Sequence, residues 1–98
     1  MYIDRQLINI VDGDDVPMHK LMDHYRAVLE RSGRPGEKVG RATIENALAI
    51  EMGISNLKTA RRNIEAMCRL GLVQWVELRG RNDIFEIVAY AIDELKKE

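Results

Sequence analysis

The sequence predicts a mainly α fold with a small β-hairpin, an α+β chain built on a three-helix core with an N-terminal arm or strand and a C-terminal helix. Three observations predict it. Met18, Leu21, Met22, Tyr25, Val28 and Leu29 repeat at helical spacing, and Leu57, Ala60, Ile64 and Met67 fall in one narrow sector, so both stretches read as amphipathic helices. Gly33-Arg34-Pro35-Gly36, Gly53 and Gly71 punctuate the helical stretches. Val73–Leu78 and Ile84–Val88 read as two short strands joined by Arg79-Gly80-Arg81-Asn82-Asp83.

The 98 residues, 46% of them apolar, fit one domain with one modest core: an arm at 1–16, the helical pair and hairpin at 43–88, and a C-terminal helix at 89–98. No stretch approaches the roughly 20 apolar residues of a membrane helix, and Asp4 and Arg5 precede any apolar run, so neither anchor nor signal peptide is expected. A soluble, cytoplasmic chain follows. The single Cys68 agrees with a reducing compartment. Net charge is −1 but unevenly spread: residues 31–81 hold ten Lys and Arg against five Asp and Glu, and the remainder five against eleven. A basic segment between acidic ends suits one positive face directed at phosphate, although ordinary surface charge reads the same way when helix position is ignored.

In order along the chain, Tyr2–Val11 leans toward β structure and is either a strand or an extended arm, ending in the turn cluster Asp12-Gly13-Asp14-Asp15. Asp14 or Asp15 caps the first helix, with Pro17 in its first turn and Ser32 near its end. The linker through Gly40 is Gly-rich and basic, hence exposed and mobile. Thr43 is the expected N-cap of a second helix, Ile44 to Met52, closed by Gly53. Ile54 anchors the turn, and Ser55 or Asn56 starts a third helix that stops at Gly71. On that helix Ser55, Lys58, Arg62 and Arg69 oppose the apolar sector, Thr59 and Arg61 flank it, and Asn63 points nearly inward as a structural hydrogen bonder. Ala89–Lys97 reads as the last helix, with Val88, Ala91, Ile92 and Leu95 on one side.

A helix enters the major groove of DNA only with a polar, basic outer face and an apolar inner face held by a support helix. Residues 55–70 meet that requirement. Ser55, Asn56, Lys58, Thr59, Arg61 and Arg62 crowd the first two turns, the part of such a helix that reaches base edges. Arg79 and Arg81 flank Gly80 at a hairpin tip (79–83) able to meet a flanking minor groove or phosphates. Arg34, Lys38 and Arg41 could touch the backbone ahead of the second helix, and a solvated linker is the equal alternative.

The run LAIEMGIS, the helix through Arg69, Gly71-Leu72-Val73 and the hairpin around Gly80 together resemble the winged helix-turn-helix superfamily in its MarR-like and GntR-like style. The resemblance covers residues 43–88 and departs in one respect. The spacing from Gly53 to Ala60, Ile64 and Gly71 is a residue longer than the commonest family form, which implies an extended turn before the third helix. The resemblance implies a sequence-specific double-stranded DNA-binding protein, used in transcriptional regulation or in plasmid or phage partition or replication initiation, with the nucleoid or such DNA as its location. Some members of the fold bind protein instead, and that alternative stays open.

No phosphate loop, metal spacing or nucleophile with a base is legible, so no enzyme, cofactor or metal is expected. His19 and His24 diverge on a helix, Cys68 reads as a semi-buried thiol, and the methionines fall at core spacings. Val76 and Leu78 share one hairpin face and Val73 and Trp75 the other, leaving both faces apolar. The N-terminal arm, the C-terminal helix, or these elements from a second copy would cover the spare face, and a homodimer through the termini is the expectation.

Overall fold

The apolar stripe of the first helix anchors the fold: in the computed structural model, which describes residues 18–95, Leu21, Tyr25, Val28 and Leu29 of α1 (Met18–Ser32) are fully buried. Burying each such side chain contributes roughly 1.5–3 kcal/mol, so packing rather than intrinsic propensity holds the helix. The Tyr2–Val11 arm, the Asp14 or Asp15 cap with Pro17, and residues 96–98 of the last helix lie outside the described residues.

After α1 come β1 (Lys38–Gly40), α2 (Arg41–Met52), α3 (Leu57–Leu70), β2 (Val73–Arg79), β3 (Asn82–Ile87) and α4 (Ile92–Leu95). Among the described residues this is a small α+β arrangement of four helices and a three-stranded antiparallel sheet, order β1-β3-β2, compatible with a winged-helix layout. Val39, Phe85, Ile87 and Val73 on one sheet face meet Ile44, Leu48, Ile64 and Met67 in a single core.

The linker is more ordered than its composition suggests. Lys38–Gly40 forms a strand against Ile84–Glu86, and the Gly36 N–H donates to the Ile87 carbonyl at 2.6 Å. Three residues, Lys-Val-Gly, are too few to show an alternation, so the strand was invisible to periodicity. Its pairing also corrects the start of α2. Gly40 ends the strand and serves as N-cap in extended conformation without a side-chain bond, so Thr43 lies inside the first turn and does not cap. Gly53 closes α2 in the left-handed conformation at φ 69°, as its position promised.

The hairpin is tighter than the five-residue loop expected of 79–83. Arg79 pairs with Asn82, leaving Gly80 and Arg81 as the turn, and Gly80 takes φ 66°, where a side chain is strained. A bulge interrupts β2: Trp75 faces Phe85 and Glu77 faces Ile84, with Val76 as the extra residue. It overturns the expected face assignment. Leu78, opposite Asp83, now shares the Phe85 face with Trp75, while Glu77 and Arg79 lie on the other face with Ile84.

The last helix is also shorter than Ala89–Lys97 suggested. The Val88 and Ala89 N–H groups both donate to the Leu72 carbonyl, which holds the chain extended there, and α4 begins only at Ile92. The Tyr90 hydroxyl donates to the Gly33 carbonyl at 2.6 Å, while Tyr90, Ile92 and Leu95 pack against the core. This segment lies beside Met22 and Arg26 of α1 and leaves Trp75 and Leu78 at 55% and 59% exposure.

Candidate nucleic-acid interface

α3 separates two chemistries by its period alone. Thr59, Ala60, Asn63, Ile64, Ala66 and Met67 are buried, whereas Leu57, Lys58, Arg61, Arg62, Glu65 and Arg69 are exposed. Two placements depart from the sequence reading. Leu57 is 62% exposed and belongs to the outer face, and Thr59, only 2% exposed, is withdrawn from it. Leu57 sits at the border of the apolar sector, where the helix has only just begun and little of it is covered by the described residues.

The helix is fixed from both ends and from behind. The Asn56 side-chain oxygen accepts from the Lys58 and Thr59 N–H groups at 2.8 and 3.2 Å, and Gly71 ends the helix at φ 85°. Behind it, the Tyr25 hydroxyl donates to Asn63 Oδ1 at 2.7 Å and Asn63 Nδ2 donates to the Thr59 carbonyl at 2.8 Å. Every polar atom of that pair is therefore occupied, and burial pushes the Tyr25 phenol well above its ordinary range, keeping it neutral. Asn63 is the structural hydrogen bonder its inward position implied. Burial, with Glu65 beside it, also pushes the Cys68 thiol up and keeps it protonated.

Between α3 and the hairpin runs an open groove of about 210 Å³ lined by Arg41, Arg61, Ile64, Glu65, Asp83 and Phe85. Its far wall is a clamp that spacing along the chain could not reveal. One Asp83 oxygen accepts from Trp75 Nε1 at 3.0 Å and the other from Arg41 Nη1 at 3.1 Å, while Arg41 Nε also lies 3.4 Å from Glu45. Arg41, a candidate for phosphate contact, is thus engaged by two carboxylates, and it ties the first residue of α2 to the hairpin just below its turn.

The remaining candidates divide. Ser55 and Lys58 are exposed at the entry of α3, and Arg61 and Arg62 follow one turn later. Arg79 donates to Glu77 at 2.6 and 2.9 Å on the sheet face turned away from Phe85, whereas Arg81 is exposed in the turn itself. Lys38 faces Glu86 across β1 and β3, on the sheet face opposite Val39 and Phe85, and so stands apart from the α3 groove. Among the described residues, Lys58, Arg61, Arg69 and Arg81 make no ion pair.

No family model, curated protein or solved structure matches this chain. The site is therefore read from its own chemistry. Among the described residues no three His, Cys, Asp or Glu side chains converge on a metal-sized site, and no helix is long and apolar enough to cross a membrane. What the arrangement offers a partner is a mainly cationic face, Lys58, Arg61, Arg62 and Arg69 with Glu65 among them, on a packed helix beside a narrow, arginine-tipped turn.

Proposed function

We propose that this chain is a winged helix-turn-helix protein that binds double-stranded DNA sequence-specifically, with α3 in the major groove and the Gly80-Arg81 turn against the flanking backbone or minor groove. The observation that carries this reading is the division of α3, with Ala60, Asn63, Ile64 and Met67 buried beneath exposed Lys58, Arg61, Arg62 and Arg69. A helix so supported can enter the groove without unfolding its own core, and its cations displace counterions from phosphate. Lys58 and Arg61 also have the donor geometry for guanine O6 and N7. Transcriptional regulation is the use such a domain serves most directly, and plasmid or phage partition or replication initiation would employ the same contacts.

A homodimer would set two reading helices about 34 Å apart and select a palindromic or repeated site. Because Ile92 and Leu95 pack on their own core, the N-terminal residues are the better candidates for its contact. Anisotropy titrations of duplex DNA over a salt series test the proposal. Affinity should fall with a log–log slope of about −0.9 per phosphate contacted. A flat response would favour a second reading, a protein-binding module, for which exposed Trp75 and Leu78 on one hairpin face are the supporting observation.

A further inference from the structure

We propose that Leu57 reads the 5-methyl group of thymine, so that the bound DNA carries a thymine within about two base steps of a guanine contacted by Arg61. The inference rests on the DNA-binding reading above and names what that surface recognises.

The entry of α3 has few groups free to read bases. The Asn56 side-chain oxygen is held by two backbone N–H groups, and Thr59 is buried. Ser55, Leu57, Lys58, Arg61 and Arg62 remain on the exposed side of the first two turns. Leu57 is the first residue of the helix after its cap, where a groove-entering helix comes nearest the base edges. At 62% exposure it leaves most of a large apolar side chain in water.

The surroundings choose the occupant. Leu57 is flanked in sequence by Ser55, Asn56 and Lys58, and Arg61 lies one turn on, about 40° away around the axis. An apolar pocket on another protein would have to desolvate this polar and cationic rim along with the leucine. The major groove instead presents an isolated methyl group within a polar, polyanionic wall, which matches one aliphatic side chain set among Ser55, Asn56, Lys58 and Arg61. Four residues of helix rise cover about 6 Å, close to two base steps, which gives the spacing between the thymine and the guanine.

Duplexes selected from a random pool by the full chain provide the probe, with each thymine then replaced singly by deoxyuridine, which removes only the methyl group. Uracil at one position should weaken wild-type binding about fourfold, the effect of one buried methyl. Leu57→Ala should bind thymine and uracil duplexes equally, and Leu57→Met, which keeps an aliphatic contact, should retain the preference. Thermal melting of both variants within a few degrees of wild type, expected of an exposed site, establishes that they are folded. Equal wild-type binding of every uracil duplex, a selected site without thymine, or an undiminished thymine preference in Leu57→Ala overturns the role of Leu57 and leaves DNA binding standing. Absence of salt-sensitive binding to any duplex overturns DNA binding and this inference together.

Discussion

The cations of α3 and those around the hairpin look alike in sequence and differ in what they touch. On α3, Lys58, Arg61 and Arg69 make no ion pair among the described residues, and the helix behind them is packed and hydrogen-bonded. Around the hairpin, Arg79 is held by Glu77 and Arg41 by Asp83 and Glu45, so among the described residues Arg81 alone of that group makes no ion pair. An arginine already bound to a carboxylate gives up that contact when it turns to phosphate, whereas an unpaired one has only water to exchange. Available charge, rather than charge, separates the two regions.

The comparison fails first if the back of α3 is not core. Ile64→Asp places an unpaired carboxylate in a buried site and should abolish cooperative folding by circular dichroism. Tyr25→Phe leaves the Asn63 oxygen without its donor and should cost about 1–3 kcal/mol in denaturant melts at neutral pH. The raised Tyr25 pKa adds a pH signature. Below the ordinary tyrosine pKa of about 10 its neutral form stabilises the fold fully. Above it the unfolded chain releases the proton while the native one retains it, so stability falls with rising pH, and Tyr25→Phe should flatten that alkaline decline.

The cations themselves supply the smaller effects. Arg61→Ala should lower DNA affinity about tenfold and reduce the salt slope by about one, with the melting transition unchanged. Asp83→Asn should act in the opposite sense: loosening Arg41, which Glu45 alone would then pair, should raise affinity by up to about twofold at low salt, and stability should fall by less than about 1 kcal/mol because the pair is partly solvated. Arg79→Ala should change affinity by less than about twofold, since its charge is already matched by Glu77. An Arg79→Ala loss as large as that of Arg61→Ala would erase the distinction between the regions.

What could be read from the chain was whatever local chemistry dictates. The α1 stripe, the Asn56 cap, the glycines at 53, 71 and 80 and the inward Asn63 follow from period, side-chain acceptors and left-handed backbone, all within a few residues. What escaped depends on distant partners. β1 exists because Ile84–Glu86 lies beside it, Arg41 is occupied because Asp83 stands 42 residues away, and α4 starts late because Leu72 offers its carbonyl to two amides. Leu57 and Thr59 show the limit within a single helix. Both sit at the border of the apolar sector, and neighbours from other elements decide which is covered.

The extra residue at Val76 bears on what the open border of the sheet can pair with. Among the described residues β2 borders the sheet, so its outer amides and carbonyls form a template on which another strand could grow. Cross-strand partners from Trp75 to Arg79 would keep their alternation without Val76, so pairing does not require it. An irregular border spoils the template, and the kink thus acts as a guard against stacking of copies edge to edge, freeing the exposed Trp75 and Leu78 from the part of fibre nucleus.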